Sequence, residues 1–596
     1  MFQTFEVTAR PEQGPPRLAA LRGEIAAAGL DGFLVPRADA HQGEYVAARD
    51  ARLSWLTGFT GSAGFCVALM DIAGVFIDGR YRTQVKSQVA DVYTPVPWPE
   101  IRMADWLMDQ LPQGGRVGFD PWLHAVAQLR EARAALKGSG VELVAHENLV
   151  DRIWEDQPAP PMEPARAHPL EFAGDSALDK RTRLAGELEK AGHRGVVITL
   201  PDSIMWLLNI RGSDIERNPV AQCFAVLYDD GAVDLFIAPT KVADLADHLG
   251  TDVMIWPTER LLDALEALEG PIRYDPASAP QAVADALGDN GVEGTDPCLL
   301  PKACKTAAEI AGSAAAHLRD GAAMVECLAW LDAQAPGSVT EIDVVTKLEA
   351  CRRQDNALRD ISFETISGTG PNGAIIHYRV SEESDATLEE GHLLVLDSGG
   401  QYLDGTTDIT RTIAVGEVGM EEKACFTRVL KGMIAISRLR WPRGLAGRDI
   451  EAIGRMPLWL AGQDFNHGLG HGVGAYLSVH EGPQRLSRAS DVALRPGMIL
   501  SNEPGYYREG AFGIRIENLL VVQEAEALET SEAERVMYDW RTLTFVPIDR
   551  RCIVADMLTV EERDWLNAYH GAVLAKLADR VGDVARAWLD QACAPL

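Results

Sequence analysis

The stretch HLLVLDSGGQYLDGTTDITRTIAV, residues 392–415, decides the fold of this chain. Two apolar-rich runs, LLVLD and ITRTIAV, flank Asp404-Gly405, a dipeptide that closes tight β-hairpins. If those two residues form the loop, Asp397 lies opposite Thr412. Asp408 shares a strand face with Thr412, because residues two apart point the same way. Both aspartates then project from one face of one hairpin. Two carboxylates held together at neutral pH repel, so each needs a proton, a cation or a metal. The alternative is an ordinary hairpin with solvated loop aspartates.

Downstream, MILSNEPGYYREGAFGIRIENLLVV (498–522) carries two more carboxylates. Phe512, Ile514 and Ile516 alternate with Arg515 and Glu517, as in a strand with one apolar and one charged face. Glu517 runs directly into LLVV, which places an acid close to the core, where it is costly unless paired or metal-bound. An Arg515–Glu517 ion pair is the structural alternative. Glu503 precedes Pro504-Gly505 at a strand end.

Between these stretches, NHGLGHGVGAYLSVHEGP (466–483) brings His467, His471 and His480 together. The His467–His471 spacing is that of a helical zinc pair, but Gly468, Gly470, Gly472 and Gly474 argue against a helix. The stretch also matches a loose G-x-G-x-x-A dinucleotide loop, without the strand before it and the helix after it that such a loop requires. The glycines read better as allowing the backbone close to a crowded site.

The rest of the chain frames this region. At 596 residues it exceeds one ordinary core. Helix, glycine turn and apolar strand occur in RLAALRGEIAAAGLDGFLVP and again in KRTRLAGELEKAGHRGVVITLP. In each case a tryptophan follows, Trp55 or Trp206, three residues before Gly58 or Asn209, which suggests a duplicated α/β domain. DQPAPPMEPARAHP (156–169) reads as the linker between the copies, 306–356 as a long helical region, and the end of the chain as a helical tail. His124, His317 and His570 read as surface or core residues.

The net charge of −31 argues against nucleic acid and anionic membranes. Nine scattered cysteines without a Cys-x-x-Cys pair disfavour a disulfide framework or a cysteine–zinc module. The N-terminal residues lack a signal-peptide pattern and no apolar run is long enough to span a bilayer, so a cytoplasmic protein is expected.

Taken together, TGPNGAIIHYRV, LDSGGQYLDGTTDITRT, HGLGHGVGAYLSVHEGP, SNEPGYYREGAFGIRIEN and LTFVPID resemble the pita-bread metallopeptidases, most closely the three-domain type of aminopeptidase P. The resemblance implies an α/β (α+β) chain: creatinase-like domains at 1–160 and 161–305, then a pita-bread catalytic domain at 306–596 with the helical tail. It makes Asp397, Asp408, His471, Glu503 and Glu517 the ligands of two divalent metals, Mn²⁺ by preference, with Co²⁺ or Zn²⁺ as alternatives. It implies removal of the N-terminal residue from Xaa-Pro peptides by a metal-bridging hydroxide, with Glu503 as proton shuttle and His377, His467 and His480 around the substrate. Arg515 and Thr410 would orient the carboxylates. A homodimer is the further implication. The competing readings are a prolidase acting on Xaa-Pro dipeptides and a metal-free pita-bread binding module.

Overall fold

The computed structural model describes residues 1–532 and 534–596. They form two compact units, one of residues 8–170 and 175–299, the other of residues 1–7, 171–174 and 300–596.

The first unit contains two six-stranded sheets of one topology. Thr94–Pro97, Ala73–Ile77, Phe65–Leu69, Gly32–Pro36, Gly115–Phe119 and Val141–Ala145 lie side by side, giving strand order 4-3-2-1-5-6. Val253–Trp256, Val233–Phe236, Phe224–Tyr228, Gly195–Ile198, Ile272–Tyr274 and Gly291–Glu293 repeat that order. The first strand of each pairs antiparallel with the second and parallel with the fifth. The tryptophan-bearing helices match too: Arg52–Thr57 ends at Gly58 (φ 87°) and Pro201–Leu208 at Asn209 (φ 50°). Both caps are left-handed, a conformation that glycine and asparagine tolerate best.

In the second unit, helix α1 (Ala307–Asp332) starts at a capping box in which Thr306 and Glu309 satisfy each other's backbone. Helix α2 (Glu341–Arg352) follows. Strands β1 (Ile366–Thr369), β2 (Leu393–Ser398) and β3 (Ile409–Ala414) form an antiparallel sheet in that order. After helices α3 (Met420–Ser437) and α4 (Gly447–Trp459) come β4 (Gly470–Gly472), β5 (Glu481–Leu486) and β6 (Ile499–Asn502). The hairpin β7 (Gly505–Arg508) and β8 (Phe512–Arg515) leads to β9 (Asn518–Glu524) and β10 (Met537–Thr542). A second sheet runs Trp441–Pro442, β10, β9, β6, β4, β5. Helices α5 (Val560–Leu577) and α6 (Asp583–Ala592) end the chain, and Val573 and Leu589 share one apolar core with Val429, Leu500 and Leu520.

Two details of the hairpin differ from the sequence expectation. Tyr402 pairs with Gly405, so Leu403 and Asp404 make the turn, and Asp397 pairs with Thr410 rather than Thr412. The difference is two residues, and a two-residue change keeps every side chain on its face. The aspartates therefore still share a side. Glu517 does not continue the Phe512–Arg515 strand but lies between β8 and β9. There its backbone N–H donates to the Thr410 carbonyl at 3.1 Å.

Candidate metal centre

The buried face of the β2–β3 pair supplies the first two carboxylates. Asp397 is the penultimate residue of β2 and Asp408 immediately precedes β3; they are 8% and 3% exposed. His471 comes from the middle of β4, and Glu503 follows β6. The strand identity of residues 470–472 removes the helical zinc pair from consideration. Crowding explains the glycines: a Cβ on Gly470 would sit 1.9 Å from the Ser501 carbonyl oxygen, and one on Gly472 would sit 2.4 Å from the Glu481 carbonyl oxygen. Close approach of β4 to β6 is what brings His471 to the carboxylates.

Ligand atoms of Asp408, His471 and Glu517 all lie within 4.8 Å of one another. The imidazole Nε2 is 3.5 Å from Asp408 Oδ2 and 3.4 Å from Glu503 Oε1. Its Nδ1 is 2.9 Å from the Gly472 carbonyl oxygen, which can only accept, so Nδ1 carries the proton and Nε2 is directed at the carboxylates. The Ser501 hydroxyl accepts from the His471 N–H at 2.9 Å and donates to Glu503 Oε1 at 3.1 Å.

Arg515 and Thr410 hold the remaining carboxylates. Arg515 Nη2 and Nε donate to Asp397 Oδ2 at 2.7 and 3.2 Å, and Nη1 donates to the Tyr507 hydroxyl at 2.6 Å. The alternative Arg515–Glu517 ion pair does not form. Instead Thr410 Oγ1 donates to Glu517 Oε2 at 2.8 Å.

One oxygen of each carboxylate is thus anchored and the other left over. Asp397 Oδ1 and Glu517 Oε1 are buried without a hydrogen-bond partner. Such an atom costs about 1–3 kcal/mol, and more when charged, unless something else satisfies it. Burial pushes the carboxyl groups of Asp397 and Glu503 above their ordinary range, Arg515 opposing it at Asp397 and His471 at Glu503. Glu517 is pushed well above its range by burial and then by Asp408 and Glu503. Burial alone would lower His471, but Asp408 and Glu503 outweigh it and raise the imidazole to about 9. Every direction states the same need for positive charge. Four carboxylates and one imidazole, with partnerless oxygens among them, fit hard or borderline divalent cations.

The three other expected site histidines are placed differently. His480 packs its ring edge-on against His471, centroids 4.3 Å apart. His467 Nε2 is 2.9 Å from the Tyr507 hydroxyl, so a chain His467–Tyr507–Arg515–Asp397 reaches the carboxylates. His377, half-buried, follows the turn Gly370–Ala374, whose Gly373 lies against Gly513 of β8. Tyr507 is the residue that sequence reasoning missed. Either tyrosine of GYYRE could face inward, and the contacts of the Tyr507 hydroxyl with His467 and Arg515 select it. His317 and His570 are buried away from water and His124 is half-buried; Nε2 of His570, for example, accepts from the Ile548 N–H at 3.1 Å.

With this geometry the chain's relationships fall into place. Residues 306–524 match metallopeptidase family M24 and residues 536–596 the C-terminal region of peptidase M24. Residues 17–153 and 156–309 each match a creatinase/prolidase N-terminal domain. The chain belongs to metallopeptidase family M24. Within it, the chain is similar to aminopeptidase P1 of Arabidopsis thaliana, 37% identical over 97% of this chain and 99% of the relative. It is 38% identical to a probable Xaa-Pro aminopeptidase P of Aspergillus clavatus, over 97% of this chain and 92% of that one. The crystal structure of an X-prolyl aminopeptidase from Caenorhabditis elegans, described as a cytosolic enzyme with a di-nuclear active site, superposes with a TM-score of 0.92. That pair is 32% identical over 98% of this chain and 99% of the other.

Proposed function

We propose that this chain is a Xaa-Pro aminopeptidase that removes the residue preceding an N-terminal-penultimate proline. The observation that carries the reading is the convergence of Asp408, His471 and Glu517 within 4.8 Å beside the partnerless oxygens of Asp397 and Glu517, in a chain similar over its whole length to aminopeptidases P. Asp397, Asp408, His471, Glu503 and Glu517 would hold two divalent ions, Mn²⁺ by preference and Co²⁺ or Zn²⁺ otherwise. Such a pair supplies a water made acidic enough to ionise near neutrality and positive charge opposite a developing oxyanion.

The protein's own groups do the rest. Glu503 takes the proton from the attacking water and delivers it to the departing proline nitrogen. With Nδ1–H committed to the Gly472 carbonyl, the neutral imidazole of His471 would present its Nε2 lone pair to a metal. Arg515 and Thr410 fix the rotamers of Asp397 and Glu517. His467, braced by Tyr507, and His480, braced by His471, hold the peptide and the oxyanion together with His377.

The same reading divides the chain at 1–160, 161–305 and 306–596. The repeated sheet topology and the separate family matches support that division. Among the described residues no helix is long and apolar enough to cross a membrane. The similarity to the C. elegans enzyme supports a cytoplasmic location and the homodimer belongs to the same proposal.

The test is to offer the Mn²⁺-loaded protein a tripeptide Xaa-Pro-Yaa, its Xaa-Ala-Yaa counterpart and the dipeptide Xaa-Pro. Cleavage of the first alone is expected, abolished by chelation and by Asp408→Ala. An inert tripeptide beside rapid dipeptide cleavage would overturn the assignment in favour of prolidase. A protein that binds none of Mn²⁺, Co²⁺ and Zn²⁺ is a binding module instead.

A further inference from the structure

Strand β3, which directly follows Asp408 and carries Thr410, turns the next residue, Arg411, to the other face. Arg411 is 1% exposed, and no carboxylate pairs with it. Its donors end on neutral oxygens: Nε on the Pro547 carbonyl (3.1 Å), Nη1 on the carbonyls of Thr410 (2.8 Å) and Glu517 (2.6 Å). Nη2 donates to Asn518 Oδ1 (2.9 Å), the Val546 carbonyl (2.7 Å) and the Tyr569 hydroxyl (2.9 Å). A buried cation is expensive unless its environment is arranged for it. Replacing it with an apolar residue would be the simpler way to fill a core, so what it holds in place is the relevant question.

It holds Glu517. That residue lies in a break between β8 and β9, outside any regular ladder, so strand pairing alone does not fix it. Its N–H goes to the Thr410 carbonyl, its carbonyl accepts from Arg411, and its Oε2 accepts from Thr410 Oγ1. Arg411 also binds that Thr410 carbonyl, which closes a ring of bonds through both backbones. What the ring leaves free is Glu517 Oε1.

The far end of the ring is set by helix α5. Tyr569 of α5 stacks on Trp565 (5.3 Å, 5°) and Phe545 (6.3 Å, 15°), which fixes its ring plane. Its hydroxyl also meets the Val546 carbonyl at 2.9 Å, the same oxygen that Arg411 uses. We infer that Arg411, oriented by Tyr569 of α5, is a positioning residue for Glu517, so that α5 is part of the support of the metal centre. The inference rests on the metal centre proposed above.

The experiment is calorimetric titration of Mn²⁺ into chelator-stripped full-length protein, with thermal unfolding of the stripped forms alongside. Tyr569→Phe keeps the aromatic stack and removes only the hydroxyl. It is expected to weaken Mn²⁺ binding by about 10-fold or more, the usual range for groups that orient metal ligands. Arg411→Lys, which keeps the charge but loses the fork, is expected to weaken it further. Leu566→Ala, which hollows the same helix at a fully buried position, is expected to lower the unfolding temperature and leave Mn²⁺ affinity unchanged. Wild-type affinity in Tyr569→Phe, or equal losses in Tyr569→Phe and Leu566→Ala, would overturn the inference while leaving the metal centre intact. A wild-type protein that takes up no Mn²⁺, Co²⁺ or Zn²⁺ would overturn both.

Discussion

Arg515 gives two of its hydrogen bonds to one oxygen of Asp397, Oδ2, and none to the other, Oδ1, which is buried and without a partner. Arg515 is 2% exposed, and its guanidinium also donates to the Tyr507 hydroxyl and, from Nε, to Thr410 Oγ1. A carboxylate anchored on one side only is turned, not neutralised. Its free oxygen stays buried, and the negative charge of Asp408 acts on the same carboxylate.

Removing that anchor should be felt at the metal before the substrate. In Arg515→Ala, burial and Asp408 act on Asp397 without the opposing cation, so its proton is harder to displace. Mn²⁺ affinity is expected to fall about 10- to 100-fold, and kcat/KM with it at limiting metal. Arg515→Lys should not restore either, because one ammonium cannot reach both Asp397 and Tyr507 in the geometry of the fork. Unchanged Mn²⁺ titration curves in both variants would remove Arg515 from this role.

The connection from His467 to Asp397 runs through Tyr507 and can be tested as a unit. Tyr507→Phe and His467→Ala should each lower kcat/KM on a Xaa-Pro-Yaa tripeptide, and the double variant should fall little below the worse single one. The coupling expected for residues in one hydrogen-bonded chain is about 0.5–3 kcal/mol. Losses that add to within about 0.5 kcal/mol would mean the two side chains work independently.

The sequence made the aspartate pair legible through parity. Displacing the turn by one position moved Asp397 from Thr412 to Thr410, yet both lie on one face, so the inference of paired carboxylates survived an error in register. Alternation was less informative at Glu517. The pattern Phe-x-Ile-x-Ile reads as one strand, but the chain breaks after Arg515, and long-range bonds to Thr410 decide where the carboxylate goes. Arg411 and Tyr569 were illegible for the same reason. A strand arginine and a helix tyrosine look like surface residues until the fold brings together positions 158 apart in sequence. The glycines around His471 were read correctly as a sign of crowding, but the carbonyls that crowd them belong to other strands.

A pH effect should arise at Glu341, outside the metal ligands. This fully buried carboxyl opens α2 and accepts from the N–H groups of Thr369 and Ala386, from Asn372 and from the Tyr378 hydroxyl, tying down the segment that carries His377. Burial outweighs those donors and raises it to about 7. A carboxyl raised in the folded state gives stability that is fully present below its unfolded value, about 4.5, and is lost as pH rises through about 7. Glu341→Gln lacks this dependence. The advantage of the wild type over the variant should therefore shrink between pH 4.5 and 7, by about 3 kcal/mol at most. Thermal unfolding of both chelated proteins across that range measures it, and a gap constant with pH would show that this carboxyl titrates normally.

The last expectation concerns the approach of β4 to β6. A methyl group on Gly470 would meet the Ser501 carbonyl at 1.9 Å, a backbone atom that cannot swing aside. Gly470→Ala must therefore push β4 from β6, at a cost of about 1–3 kcal/mol. The same displacement separates His471 from the Ser501 hydroxyl that links it to Glu503. Lower thermal stability and weaker Mn²⁺ binding should thus appear together. Gly186→Ala serves as the control, since a Cβ there meets nothing within 4 Å and the residue lies inside the helix Ala177–Ala191. There the methyl group should stabilise by about 0.5–1 kcal/mol and leave the metal untouched. If Gly470→Ala folds and binds Mn²⁺ like the wild type, the closeness of these two strands is not what builds the site.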